Sequence, residues 1–211
     1  MKNVGIILAA GRGKRMHSVV QKQYLLLQGK PVLYYSLKAF QECPFIDEII
    51  LVTGEEEISY CQEEIVRKFN LDKVKQIVPG GKERYHSVYE GLKAAGDCHL
   101  VFIHDGARPF VDQGILERTK EAAETYQACV AGMPVKDTIK LSDGHGTAVE
   151  TPRRDLLWMI QTPQVFDCAL IREAYRKLME SDGTLAVTDD AMVLESIEGK
   201  KVRLVEGSYR N

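Results

Sequence analysis

The chain has 211 residues and a formal net charge of −2, with 45% apolar and 27% charged residues. This length suits one domain, or one domain with an appendage, and a hydrophobic core large enough to need no disulfide or metal. The composition excludes an intrinsically disordered chain, and the absence of a basic excess argues against a protein that binds nucleic acid or a membrane surface.

The N-terminus leads directly into a short apolar segment that ends at Ala10. This segment is too short for a secretion signal with a cleavage site and far too short to cross a bilayer, so we expect a cytoplasmic protein. The five cysteines are odd in number, widely spaced and form no CxxC pair. We therefore expect reduced, mostly buried thiols rather than a disulfide framework or a zinc site.

Short β-branched runs alternate with longer amphipathic stretches along the first two thirds of the chain. The predicted elements, in chain order, are strand Val4–Leu8, helix Val32–Cys43, strand Glu48–Thr53, helix Glu56–Phe69, strand Val74–Val78, helix Arg84–Ala95, strand His99–His104, helix Gln113–Tyr126 and strand Ala128–Met133. Several strands are apolar on both faces, as expected for strands buried between two helix layers. The alternation predicts an α/β fold with a mostly parallel sheet flanked by helices.

The alternation breaks after Pro134. Residues 135–152 mix β-branched and polar types around a turn-rich centre, Ser142-Asp143-Gly144-His145-Gly146, which predicts a protruding β-hairpin arm. An arm with little core of its own usually packs on something, often on a second copy of the chain. The remaining predicted elements are helix Cys168–Met179, helix Asp189–Ile197 and strand Lys201–Val205. Since no repeat or linker divides the chain, we expect residues 1–211 to form a single domain.

The segment after the first predicted strand, Leu8-Ala9-Ala10-Gly11-Arg12-Gly13-Lys14-Arg15-Met16, is rich in glycine and in positive charge. In an open α/β sheet it lies at the carboxyl edge, where ligands bind, and its small residues let backbone N–H groups approach phosphate oxygens. It is neither a dinucleotide fingerprint, because Met16 replaces the third glycine, nor an ATPase loop, because Arg15 follows Lys14. A tight turn with solvated basic residues would explain the local sequence about as well.

Several cations within eleven positions favour the phosphate-binding interpretation. Arg12, Lys14 and Arg15 are followed by Lys22 just before an apolar run. A nucleoside triphosphate needs several positive charges to neutralise its phosphates and the charge that develops during displacement. The competing interpretation is a solvated basic surface, which most charge runs are.

Seven segments carry a family resemblance. They are Ala9-Ala10-Gly11-x-Gly-x-Arg15-Met16 with Lys22-Gln23-Tyr24, then Gly80–Val88, His104–Phe110, Pro134–Thr138, Gln161–Gln164, Thr188–Asp190 and Val205–Ser208. In this order they resemble the 2-C-methyl-D-erythritol 4-phosphate cytidylyltransferases of isoprenoid precursor synthesis, among the nucleotidyltransferases that activate sugar phosphates. The resemblance covers essentially the whole chain. It implies a Rossmann-like fold and a cytidylyltransferase that transfers CMP from CTP to 2-C-methyl-D-erythritol 4-phosphate and releases pyrophosphate.

The resemblance assigns the glycine-rich segment to the triphosphate. Arg15 and Lys22 would contact the phosphates and stabilise the pentacoordinate α-phosphorus as catalytic residues. The substrate-binding residues of the same segment would be Ala9, Ala10, Gly11 and Gly13. A phosphate monoester oxygen is already anionic near neutral pH, so positioning and electrostatics would carry most of the catalysis.

Two further segments would complete the nucleotide side of the site. By resemblance, Gly80, Gly81 and Ser87 border the cytosine and the ribose; a turn with a helix cap explains the local sequence nearly as well. Asp105 and Arg108 would bind substrate, and an ion pair between them that fixes the loop is compatible with that role. We interpret His104 as structural.

The resemblance implies Mg²⁺, or another divalent cation, as cofactor. The triphosphate would hold it mainly by its own oxygens, since Mg²⁺ takes phosphate oxygens, water and at most a carboxylate or two. Asp105 is the possible protein ligand, and the sequence assigns no certain metal site.

The arm would serve the acceptor. By resemblance, Thr138 and the catalytic Arg154 grip the phosphate of a sugar-alcohol phosphate in the neighbouring subunit of a homodimer joined through the arm. Arg153 is adjacent, and two exposed arginines on an arm are the alternative interpretation. Thr162 would help to hold the acceptor or the loop behind it.

The chain departs from the family at two places. Gln21 stands where the family usually has proline before Lys22, a change that could loosen the lysine segment by about 0.4–1 kcal/mol. After Asn211 the family continues through Ile-Lys-Val-Thr, and that lysine belongs to the acceptor site, so we expect the C-terminus to be truncated relative to the family. Two alternative functions stay open: a ribitol 5-phosphate (pentitol phosphate) cytidylyltransferase and a catalytically inactive nucleotide-binding homologue.

Overall fold

The computed structural model describes residues 1–11, 20–181 and 186–211. Within these ranges its strands are Val4–Ala9 (β1), Leu26–Leu27 (β2), Lys30–Pro31 (β3), Glu48–Thr53 (β4), Val74–Pro79 (β5), Leu100–Asp105 (β6), Ala128–Pro134 (β7), Leu141–Ser142 (β8), Ala148–Glu150 (β9), Trp158–Asp167 (β10) and Arg203–Glu206 (β11). Seven of them form one sheet in the order β11-β7-β10-β6-β1-β4-β5. All neighbours are parallel except β10, which is antiparallel to both β6 and β7. The predicted mostly parallel α/β fold is confirmed.

Helices cover both faces of this sheet. They are Val32–Glu42 (α1), Ile58–Tyr60 (α2), Arg84–Ala95 (α3), Gln113–Tyr126 (α4), Cys168–Glu180 (α5) and Asp190–Glu198 (α6). One core joins α1 and α4 to side chains such as Ile7, and the opposite core joins α3, α5 and α6 to side chains such as Ile6. Successive strand residues point to opposite faces, so a strand buried on both sides is apolar at successive positions, as in β1 and over residues 49–52 of β4.

Two elements differ from the sequence prediction. The helix predicted over Glu56–Phe69 begins as α2 and continues as a π-helix over Cys61–Arg67. The strand β10 has no counterpart among the predicted elements. Its Pro163 has no backbone N–H to donate to a neighbouring strand, and its glutamines break the apolar pattern. In addition, its pairing register with β7 shifts between Ile160 and Gln164.

The predicted hairpin is present. β8 and β9 pair antiparallel around a turn in which the Asp143 carboxylate accepts hydrogen bonds from the His145 and Thr147 N–H groups. Every residue from Lys136 to Thr151 is exposed, so sequence-local bonds rather than a core hold the hairpin together. That it packs on a second copy of the chain stays a prediction.

The order of strands places a ligand site. β1 lies in the sheet between β4 and β6, and the chain leaves it toward β4 through α1, while β6 is reached through α3 on the opposite face. The connections therefore diverge between β1 and β6 and leave a crevice beyond the carboxyl ends of these strands. The glycine-rich segment begins at this crevice, and Asp105, the last residue of β6, lies at it.

The expectation of five reduced thiols is wrong for two cysteines. Cys98 and Cys168 form a disulfide, whereas Cys43, Cys61 and Cys129 are free and buried. Cys98 precedes β6 and Cys168 follows β10. Because these strands pair antiparallel, with Leu100 opposite Asp167, the two cysteines meet at one edge of the sheet. Because β10 was not among the predicted strands, nothing indicated that Cys98 and Cys168 lie close together.

None of the helices among the described residues is both long and apolar enough to span a bilayer.

We expect thiol titration to detect the disulfide. Protein purified without reductant and then unfolded should react at three thiols per chain, those of the free cysteines, and at five after reduction. The Cys98→Ser variant releases Cys168 and should show four thiols without reduction. Five reactive thiols in the unreduced wild-type chain would contradict the pairing.

Candidate functional site

A cavity of about 1140 Å³ opens at the carboxyl ends of β1, β5 and β6. Its lining comes from four separate parts of the chain that the sheet brings together. The lining residues are Leu8, Ala9, Ala10, Gly11, Lys22, Gln23, Gly81, Lys82, Glu83, Arg84, Ser87, Asp105, Ala107, Arg108, Pro109, Phe110, Arg210 and Asn211. Eight of the predicted site residues are among them.

The start of the glycine-rich segment, as far as Gly11, forms one wall. Ala9, Ala10 and Gly11 line the cavity directly after β1, and Lys22 enters it from a short 3-10 helix, Lys22–Tyr24. The Lys22 ammonium makes no ion pair or hydrogen bond with any residue that the structure describes. It places a positive charge at the cavity wall. Gly13 and Arg15, which the sequence predicts at this wall, lie outside the described residues.

The turn after β5 forms the adjacent wall. A Cβ on Gly80 would collide with the Ala10 Cβ and approach the Ser87 Oγ to 2.8 Å, so this close packing requires glycine. The Gly81 N–H donates to the Ser87 Oγ at 3.1 Å. Glu83 caps α3 in a capping box with His86. The segment is therefore a capped turn, and Gly81 and Ser87 line the cavity; that they border the cytosine and the ribose stays a prediction.

Asp105 ends β6 with its carboxylate between two guanidinium groups. Its oxygens lie 3.3 Å from Arg108 Nε and 3.5 Å from Arg84 Nε. Burial alone would raise the pKa of Asp105, but the positive charges, Arg84 first, outweigh it and lower the pKa. The carboxylate stays ionised, and the Asp105–Arg108 pair expected from the sequence is present.

Arg84 also forms a buried ion pair that sequence reasoning missed. Its two terminal nitrogens donate to both oxygens of Asp190 at 2.8 Å, and the Tyr175 hydroxyl donates to the same carboxylate at 2.6 Å. Asp190 and Tyr175 are fully buried. Although burial alone would lower the pKa of Arg84, the charges of Asp190 and Asp105 raise it. Both partners lie in segments that carry the resemblance, but nothing in the sequence indicates that residues 106 positions apart pair.

Thr162 lies behind the cavity rather than in its lining. Its Oγ accepts from the Asp105 N–H at 3.1 Å and pairs with His104 Nδ1 at 2.9 Å. His104 is fully buried, and its other ring nitrogen lies 3.1 Å from the Arg108 carbonyl. The structural interpretation of His104 is confirmed, and Thr162 holds the loop of Asp105 and Arg108.

The C-terminal turn closes another side of the cavity. Gln161 holds this turn: its Nε2 donates to the carbonyls of Ser208 at 2.8 Å and Asn211 at 3.1 Å. Asn211 in turn donates to the Thr162 carbonyl at 2.9 Å. Arg210 and Asn211 thereby reach the cavity lining, a placement that the sequence analysis did not predict.

The arm residues stand apart from this cavity. Thr138 and Arg154 are exposed and do not line it, and Arg154 donates through Nη1 to the Lys136 carbonyl at 3.0 Å. Neither side chain is brought next to Lys22 or Asp105 within the single chain.

We expect His104 to make the fold acid-sensitive. Burial lowers its pKa to about 4 from 6.5, so the unfolded chain binds its proton first and stability falls as the pH drops through that window. The free energy of unfolding, measured with urea, should fall by about 2 kcal/mol between pH 7 and 4.5. Asp105 contributes only at lower pH, because its pKa is lowered from 3.8. His104→Gln, which removes the titration, should flatten the profile; an unchanged slope would assign the effect to other groups.

Known proteins match this chain over its whole length. A sequence profile described as that of 2-C-methyl-D-erythritol 4-phosphate cytidylyltransferase matches residues 4–211. A relative of that name from Lachnospira eligens is 50% identical over 209 residues, which are 99% of this chain and 92% of the relative. Another, from Caldanaerobacter subterraneus subsp. tengcongensis, is 51% identical over 98% of this chain and 90% of the relative. The crystal structure of 4-diphosphocytidyl-2C-methyl-D-erythritol synthase from Anaerococcus prevotii superimposes with a TM-score of 0.85 at 34% identity, covering 100% of this chain and 88% of that one. The chain therefore belongs to the 2-C-methyl-D-erythritol 4-phosphate cytidylyltransferase family.

Proposed function

We propose that the protein transfers CMP from CTP to 2-C-methyl-D-erythritol 4-phosphate and releases pyrophosphate. The observation that carries the proposal is the cavity itself, which joins the glycine-rich wall, Lys22, the Gly81–Ser87 turn and the Asp105–Arg108 loop in a chain of this family. Its separate walls would offer backbone N–H groups and the Lys22 ammonium to phosphates, and a close-packed glycine turn to a planar base.

The chemistry requires little from the protein beyond position and charge. An oxygen of the acceptor phosphate attacks the α-phosphorus of CTP, and the bond from that phosphorus to the bridging oxygen of the leaving pyrophosphate breaks. The attacking oxygen is anionic near neutral pH, so no general base is needed. Lys22 would stabilise charge on the phosphoryl oxygens during displacement, together with Arg15 as the resemblance implies.

Mg²⁺ belongs to the proposal as a cofactor that arrives with the triphosphate. Among the described residues, no three His, Cys, Asp or Glu side chains cluster as a metal site. The Asp105 carboxylate fits the part of a single protein ligand, because it is ionised and partly exposed at the cavity. When bound, the cation would neutralise phosphate charge. Arg84 and Arg108 would fix the position of the Asp105 carboxylate at the cavity.

The arm supports the proposal of a homodimer. Its apolar side chains are exposed, and so are those of the neighbouring short helix and of the start of β10: Ile139, Leu141, Val149, Leu156 and Met159. A second copy would bury such a surface. Thr138 and Arg154 lie away from their own cavity, as expected of residues that serve the cavity of the neighbouring subunit. Cytoplasmic localisation stays a prediction from the N-terminal sequence.

Pyrophosphate release from CTP tests the function. We expect Mg²⁺-dependent release with 2-C-methyl-D-erythritol 4-phosphate and none above background with ribitol 5-phosphate or without an acceptor. Release with ribitol 5-phosphate but not with 2-C-methyl-D-erythritol 4-phosphate would identify ribitol 5-phosphate as the acceptor. CTP binding without release, in the chain extended through the family's C-terminal lysine, would make the protein an inactive nucleotide-binding homologue.

Mixed dimers test the shared site. Arg15→Ala and Arg154→Ala chains should each be inactive, because each lacks a cation that the displacement needs. Unfolded together and refolded, they should recover about a quarter of wild-type activity, because half the dimers are mixed and each holds one complete site. Arg153→Ala is the matched control: Arg153 pairs with Asp155 at 2.5 Å and should be dispensable. Absence of recovery in verified mixed dimers would place Arg154 in its own subunit's site.

A further inference from the structure

Gln23 is a buried amide between two parts of the phosphate side of the cavity. Its side chain is 2% exposed, although the preceding Lys22 is exposed. Its Nε2 lies 2.6 Å from the Ala9 carbonyl oxygen, 3.0 Å from that of Gly11 and 2.6 Å from Gln21 Oε1. Two hydrogens serve three acceptors, so one hydrogen is shared. Gln23 therefore links the lysine segment to the entrance of the glycine-rich segment.

These contacts decide which backbone groups face the cavity. A segment that binds phosphate through N–H groups must turn its carbonyl oxygens away, because a carbonyl dipole repels an anion. The peptide unit is planar and trans, so fixing the Ala9 carbonyl toward Gln23 points the Ala10 N–H in the opposite direction. Ala10 lines the cavity. Gln23 thus removes two carbonyls from the side where phosphates would bind.

A carboxylate fixes the orientation of this amide. Gln21 Nε2 donates to Glu57 Oε1 at 2.6 Å, and a carboxylate can only accept. Gln21 must therefore present its oxygen to Gln23, and Gln23 must present its nitrogen to Gln21 and the two carbonyls. The φ of Gln21 is −63°, a value that proline also adopts, but the bonds of its amide are ones that proline could not make.

The following residue anchors the same segment to the sheet. The Tyr24 hydroxyl lies 2.6 Å from Thr53 Oγ at the end of β4 and 3.4 Å from the Cys61 sulfur at the start of the π-helix. Burial raises the pKa of Tyr24, so the hydroxyl stays protonated. With Gln23 and Tyr24 both fixed, only Lys22 of the short helix projects freely.

We propose that Gln23, oriented by Glu57 through Gln21, is a positioning residue that holds the carbonyls of Ala9 and Gly11 away from the triphosphate of CTP. The inference rests on the proposed function, which places the triphosphate at this wall. It assigns a role to Glu57, which belongs to none of the segments that carry the family resemblance. Gln23 is itself at the cavity lining, and the role proposed for it acts through the two carbonyls that it binds.

Comparing CTP with cytidine tests this role. Gln23→Met keeps the length of the side chain but removes the donor without adding a charge, so the two carbonyls lose their partner. We expect the inhibition constant of cytidine to change less than about 2-fold and the affinity for CTP to fall about 10-fold or more. Glu57→Gln can donate as well as accept, so it should cause a smaller loss in the same direction. Gln76→Met removes a similar amide-to-carbonyl bond, to Ala94 on the surface, and should leave both affinities unchanged.

The outcomes separate the inference from the proposed function. Suppose that the wild type turns over CTP. If Gln23→Met then loses CTP and cytidine affinity equally, or loses neither, the role of Gln23 is overturned and the proposed function stands. A wild type that does not bind CTP would overturn both. If Gln23→Met fails to fold, the ratio of CTP to cytidine affinity in Glu57→Gln decides in its place, and an unchanged ratio overturns the inference.

Discussion

The ion pair between Arg84 and Asp190 holds together the base of the cavity. Asp190 is fully buried, so its charge is tolerated only because a bidentate guanidinium and the Tyr175 hydroxyl satisfy both oxygens. Loss of one partner in such a pair typically costs about 3–5 kcal/mol, since the other charge stays buried. Arg84 begins α3, Asp190 begins α6 and Tyr175 lies in α5, so one charge network ties three helices to the end of β6 through Asp105.

Neutral amides perform the corresponding task for the loops. Gln23 binds carbonyls on the phosphate side, and Gln161 binds those of the C-terminal turn. Gln164 accepts from the N–H groups of Asp190 and Ala191 at the start of α6. Loop backbone has no ladder partner, and a buried unpaired carbonyl is costly, so a glutamine that reaches it from a neighbouring element fixes the loop. An amide does so without adding charge beside a site meant for anions.

The cations of the cavity fall into two groups. Arg84 and Arg108 form ion pairs with Asp105 and Asp190, so their positive charge mainly stabilises the folded protein. Lys22, Lys82 and Arg210, which also line the cavity, make no ion pair with a described residue. This division explains how a chain with a net charge of −2 concentrates positive charge at the cavity where we propose that the triphosphate binds. The electrostatic field that a bound anion would experience is local, because the fields of paired opposite charges cancel over short distances.

The sequence by itself determined the α/β alternation, the positions of most strands and helices, and the segments that line the cavity apart from the C-terminal turn. These follow from local patterns: continuous apolar strands, amphipathic helices and glycines where a loop must approach another. Only the tertiary structure decided the pairings of Arg84 with Asp190, Cys98 with Cys168 and Gln23 with Ala9. It also decided β10, where Pro163 and polar residues obscure the strand pattern. Each of these depends on which segments the sheet order brings together, and residues far apart in the chain carry no local signal of that proximity.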